Sequence, residues 1–153
     1  GLFNNVHKVS YNDERPFEYE FFLQIAQSFP FMTKLTVTNK KPQKNQLYNN
    51  SKNANQDLSI IIIIIYPHLI QLNFTLAHDN YVELFLLHTK LYLPNNIRLD
   101  ANYESLKIVT HNFERDATRI NCAKVNYVSI DNGFPYPKNF KDYSLYVYML
   151  RLR

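Results

Sequence analysis

The sequence predicts an α/β fold, an irregular solenoid in which parallel strands alternate with helices or loops. Two observations predict it. An apolar triplet spaced h-x-x-h-x-h recurs five times: Val6, Val9, Tyr11; Met32, Leu35, Val37; Leu69, Leu72, Phe74; Pro94, Ile97, Leu99; and Val125, Val128, Ile130. The positions flanking the inward pair carry no aliphatic side chain: Lys8, Ser10, Asn12; Lys34, Thr36, Thr38; Gln71, Asn73, Thr75; Asn96, Arg98, Asp100; and Tyr127, Ser129, Asp131. A strand has a side-chain period of two, so this alternation sends one set inward and leaves the other on an open face. One strand-plus-connector unit cannot bury its own apolar edge, and stacking the units gives them a shared core.

The elements follow in order. After the first triplet, Pro16 suits a first helical turn, and Phe17, Phe21, Ile25 and Phe29 recur every four residues with Phe22 and Ala26 beside them. This helix stops at Phe29-Pro30, because the residue before proline is pushed out of the α region. The second triplet strand follows at once. Residues 40–57 read as a mobile polar loop insertion carrying Lys40, Lys41, Lys44 and Lys52. The run Ile60 to Ile65 shows neither strand alternation nor helical periodicity, and reads as a homopolymer expansion with aggregation-prone composition.

Beyond the third triplet, Asp79 is placed to cap a helix in which Val82, Phe85, Leu86 and Thr89 share one side, ending before Pro94. After the fourth triplet, Tyr103, Leu106, Thr110 and Phe113 predict one further amphipathic helix, and Val125 to Ile130 returns to strand spacing. The tail Tyr143, Leu145, Tyr146, Val147, Tyr148 and Met149 alternates like a last strand, or serves as a cap. The triplets start at residues 6, 32, 69, 94 and 125, in steps of 26, 37, 25 and 31, and the long step holds the loop and the isoleucine run.

At 153 residues the chain fits one domain, residues 1–153, read as a fragment because it opens Gly1-Leu2-Phe3 without a methionine. Hydrophobic residues at 46% and charged residues at 20% are ordinary globular values, which argues against wholesale disorder. Only two glycines are present, which disfavours phosphate-cradling loops and dinucleotide-binding turns. The single Cys122 cannot form an internal disulfide, so an intracellular setting, cytoplasmic or nuclear, is expected. No run approaches the roughly 20 apolar residues that span a bilayer, so no membrane partner is expected.

Two segments carry a family likeness: Phe29-Pro30-Phe31-Met32-Thr33-Lys34-Leu35-Thr36-Val37 and Tyr66-Pro67-His68-Leu69-Ile70-Gln71-Leu72-Asn73-Phe74. Both look like the "aromatic, Pro, x, Leu, x, x, Leu" strand starts of irregular leucine-rich repeats. Over residues 1–135 the chain resembles the leucine-rich-repeat-like region of F-box-like proteins. The resemblance implies the substrate-recognition surface of a ubiquitin-ligase adaptor, reaching the ligase core only through an F-box that is not read in this chain. The chain departs from the regular repeat in one respect. The asparagine that would close each turn has no fixed place, for Asn39 falls one position early and Ala77 stands at the equivalent place in the next unit.

Candidate chemistry is sparse. His7, His68, His78, His88 and His111 form no metal-ligand spacing, and neither a metal nor another cofactor is expected. Cys122 and His111 match no local nucleophile signature, and Cys122 reads as a buried structural thiol. Asp79 and Glu83, four apart, share a helix face, where first-turn acids serve as partners of the helix dipole more often than as a catalytic pair. The formal charge of +4, with Tyr48 for stacking, is weak ground for nucleic acid, since no recognised motif accompanies it. The expected function is a protein-protein interaction module and not an enzyme. The expected partner-binding residues are Lys34, Thr36, Gln71, Asn73, Arg98, Asp100 and Tyr127. Two alternatives stand beside it: a compact α/β enzyme whose active site converges from distant segments, and a weak RNA-binding module.

Overall fold

The computed structural model describes residues 3–44 and 62–129. It is a mixed α/β structure with four helices and a mostly parallel sheet among those residues. The order is β1 (Lys8–Asn12), α1 (Tyr19–Ser28), β2 (Lys34–Thr38), β3 (Ile64–Ile65), β4 (Gln71–Asn73), α2 (Asp79–Leu86), β5 (Leu91–Tyr92), β6 (Ile97–Asp100), α3 (Tyr103–Val109), α4 (Asp116–Cys122) and β7 (Val125–Ser129). The main sheet is open, has five strands in the order β1-β2-β4-β6-β7, and pairs every neighbour in parallel. Each long strand therefore lies beside the one from the preceding unit, and the order never reverses. β3 and β5 form a separate two-stranded parallel sheet.

Alternation explains the layering. Val9, Leu35, Leu72, Leu99 and Val128 stand opposite one another across the sheet and are all buried. They are separated by 26, 37, 27 and 29 residues. They join Phe22, Ile25, Tyr81, Phe85 and Leu106 from the helices in one apolar core. At its centre Phe85 packs against Phe22, Tyr66 and Phe74, with ring centroids 5.3, 5.8 and 4.9 Å away. Such aromatic pairs add roughly 0.5–1.5 kcal/mol each beyond the burial of their area.

Several expectations need correction. The fourth triplet, Pro94, Ile97, Leu99, is two residues early, because Leu99 pairs with Leu72 and the buried Ala101 takes the third inward place. Ile97 is nevertheless buried, for the ladder to β7 shifts between Ile97 and Arg98 and leaves Asn126 as the extra, exposed residue. Asn96, expected on the open face, instead turns the chain into β6 with φ 64°.

The helix expected from Tyr103 to Phe113 is shorter, and a separate helix, α4, follows it after a turn. α3 ends at Val109, and Thr110 turns its hydroxyl back to the Leu106 carbonyl at 2.7 Å while accepting from the Phe113 N–H at 3.0 Å. His111, Asn112 and Phe113 then adopt positive φ, a left-handed turn that folds Phe113 back into the core before α4 begins. The cap of α2 is His78, not Asp79: the His78 Nδ1 accepts from the Asn80 N–H at 3.2 Å, and Asp79 is the first helical residue. The isoleucine run also has a packing role where it is described. Ile64 is buried in the core and forms β3 with Ile65, while Ile62 and Ile63 are exposed.

Residues 45–57 of the expected loop insertion lie outside the described residues, as do Ile60, Ile61, Ile130, Asp131 and the tyrosine-rich tail. The start of that insertion is tied down: the Gln43 amide donates to the Phe17 carbonyl at 2.9 Å, and the Lys44 N–H donates to the Glu18 carboxylate at 2.9 Å. Asn39 is buried, bridges Ala77 in parallel, donates to the Arg15 carbonyl at 2.6 Å and accepts from the Lys41 N–H at 2.9 Å.

Buried phenols give the fold an alkaline limit. The Tyr66 hydroxyl donates to the Phe22 carbonyl at 2.7 Å, and burial, helped by nearby Tyr11, pushes its pKa far above the ordinary value. Burial also raises Tyr11, Tyr19 and Tyr81. The folded chain thus holds these protons more tightly than the unfolded chain, so their contribution is complete below pH about 10 and is lost as pH rises further. Urea midpoints are expected to fall as pH rises from about 10 to about 12, with a shallower fall in Tyr66→Phe. A midpoint flat across that window in the native chain rejects this account.

Candidate binding face of the sheet

The residues alternating with the core positions form two rows across the outer face. Pairing register sets Lys8, Lys34, Gln71, Arg98 and Tyr127 in one row, and Ser10, Thr36, Asn73, Asp100 and Ser129 in the next. With neighbouring strands about 4.8 Å apart, each row is about 19 Å long. All seven expected binding residues, Lys34, Thr36, Gln71, Asn73, Arg98, Asp100 and Tyr127, lie in these two rows. The parallel pairing brings them together from four segments of the sequence.

Side-chain contacts organise the β4–β7 half. The Asp100 carboxylate accepts from the Gln71 amide at 2.6 Å and from the Arg98 Nε at 3.1 Å. Its side chain is 10% exposed and that of Arg98 is 43% exposed, so the carboxylate is an internal brace and the guanidinium is the group offered to solvent. The Arg98 guanidinium lies 4.6 Å from the centre of the Tyr127 ring, a cation–π contact that holds both side chains over the sheet. The Asn73 Oδ1 accepts from the Thr75 N–H at 3.1 Å and from its hydroxyl at 2.9 Å, which closes the turn leaving β4.

A small pocket lies where the chain leaves the carboxyl ends of β2, β4 and β6. It has a volume of about 270 Å³ and is lined by Lys40, Thr75, Leu76, Ala77, His78, Asp79, Asn102 and Ser105. Most of its polar side chains already have partners inside the fold. Ser105 donates its hydroxyl to Asp79, His78 caps α2, and Asn102 caps α3 by accepting from the Glu104 N–H at 2.9 Å. The cavity is smaller than the roughly 300–1,000 Å³ of ordinary small-molecule sites.

The other residues weighed for chemistry are separated. Asp79 faces Ser105, whereas Glu83 forms a 2.6 Å ion pair with Arg115, so the two acids serve different contacts. Cys122 is buried in α4, and His111 is exposed on the left-handed turn. Among the described residues no three His, Cys, Asp or Glu side chains are grouped to hold a metal ion, and no helix is long and apolar enough to cross a membrane.

The known proteins offer no guide. No family model, curated protein or solved structure matches this chain. Its function is therefore argued from its own residues. One internal likeness is visible in space: Phe31 and His68, the third residues of the two "aromatic, Pro, x" segments, lie one strand apart with ring centroids at 5.2 Å. Nothing in linear spacing marks Asp100 as a brace, since its partners Gln71 and Arg98 become neighbours only through the register of β4 with β6.

Proposed function

We propose that the chain is a solenoid-type protein-binding module whose partner lies on the two polar rows. The observation that carries this reading is the register itself. Five parallel strands in sequence order keep their apolar side chains inward, and on the outer face they present hydroxyl, amide, charged and tyrosine side chains at matched heights. An extended row of this kind suits a macromolecular surface better than a small molecule. The two "aromatic, Pro, x, Leu, x, x, Leu" segments support a more specific role, the substrate-recognition region of an F-box-type ubiquitin-ligase adaptor inside a cell. The lone, buried Cys122 fits that setting.

The test is site-specific photocrosslinking with the protein in cells of its own source. A crosslinking residue at Thr36 or Asn73 is expected to trap a discrete protein partner, and the same residue at Ile108, exposed on α3, is expected to trap none. Recovery of ligase-core subunits with the Thr36 adduct supports the adaptor role. Adducts formed equally from Ile108 and Thr36 count against the polar rows as the binding face.

A further inference from the structure

The two halves of the polar face differ in charge. Each arginine among the described residues is matched to a carboxylate: Arg15 to Asp13, Arg98 to Asp100, Arg115 to Glu83 and Arg119 to Asp116. No lysine among the described residues forms an ion pair, and Lys8 and Lys34 are the two that the ladder sets directly opposite each other, across β1 and β2. The other outward positions on these strands are Ser10, Asn12, Thr36 and Thr38, which carry no negative charge. Like charges directly opposite on neighbouring strands oppose folding, and the fold leaves this pair unrelieved where it relieves Arg98 with Asp100.

We infer that the β1–β2 half of the face takes an extended, acidic protein segment, whose carboxylates lie between the Lys8 and Lys34 ammonium groups. The inference rests on the proposed protein-binding role and names the partner's chemistry. Ser10, Thr36 and the Asn73 amide, in the adjoining row, offer hydrogen bonds to the backbone of such a segment. An RNA strand is the less suitable polyanion. The aromatic ring in these rows, Tyr127, is covered by Arg98, and the Asp100 carboxylate lies in the second row.

The experiment is a titration of the isotope-labelled full chain, followed through its backbone amides. Four probes are used: equal-length Glu/Ser, Asn/Ser and Lys/Ser peptides and an oligouridine. The Glu/Ser peptide is expected to shift the amides of Lys8–Asn12 and Lys34–Thr38, with affinity that falls as salt rises. Lys8→Glu with Lys34→Glu is expected to weaken it about tenfold or more, and Lys107→Glu on α3 is expected to leave it unchanged. Binding of the Asn/Ser or Lys/Ser peptide at these strands with equal affinity overturns the acidic partner and leaves the face standing. Shifts confined to other elements, or absent with all four probes, overturn both. Tighter binding of oligouridine than of the Glu/Ser peptide overturns the choice of a protein segment.

Discussion

Leu72→Asp is expected to abolish cooperative folding. Leu72 is 0% exposed and sits in the middle strand of the sheet, opposite Leu35 on one side and Leu99 on the other. The substitution opens a cavity and puts an ionisable group where no partner exists, a combined loss of about 4–5 kcal/mol or more. That equals much of the roughly 5–15 kcal/mol by which domains are stable. The neighbouring Asn73→Asp is the matched control. A carboxylate keeps the acceptor used by the Thr75 N–H and hydroxyl, so the turn survives. Its charge then lies opposite Asp100, at a cost of about 1 kcal/mol or less. Circular dichroism and urea melts of the two variants decide the matter. Equal tolerance, or a folded Leu72→Asp with a disrupted Asn73→Asp, means that the inward and outward sets are assigned the wrong way round.

Asn121→Ala is expected to be the most damaging loss of a polar side chain. Asn121 is 0% exposed, and its amide joins three elements. The Nδ2 donates to the Phe85 carbonyl at 3.1 Å and to the Leu91 carbonyl at 2.7 Å, while the Oδ1 accepts from the Leu93 N–H at 3.3 Å. One side chain on α4 thereby serves the end of α2 and the strand β5, which among the described residues has only β3 as a ladder partner. Removing it strands three main-chain groups, each worth about 1–3 kcal/mol when buried without a partner, for a total of about 3 kcal/mol or more. Asn102→Ala, which removes an exposed cap from α3, is expected to cost about 1 kcal/mol. Similar losses in the two variants, read from denaturation midpoints, contradict the joining role of Asn121.

The strand face was legible because its signal is local. Val9, Leu35, Leu72 and Val128 can be read from alternation alone, and the rows beside them follow from the same period. The fourth unit was misread because Ile97 and Leu99 are both apolar and both buried, so two registers satisfy the same spacing, and a bulge at Asn126 decides between them. β3 and β5, at two residues each, are too short to show any period. The break between α3 and α4 was hidden for a different reason. Tyr103, Leu106, Thr110 and Phe113 keep helical spacing into the turn, and all are buried.

What the sequence by itself determined is which residues can face inward along each strand, because side-chain direction depends only on the local backbone and the transfer of apolar groups from water. The tertiary structure alone decided which strand stands beside which, how Gln71 reaches Asp100, and why Lys8 and Lys34 meet without an acid between them. Those relations depend on contacts between segments 26 or more residues apart, set by how whole units pack, and no short window of the chain contains both members of such a pair.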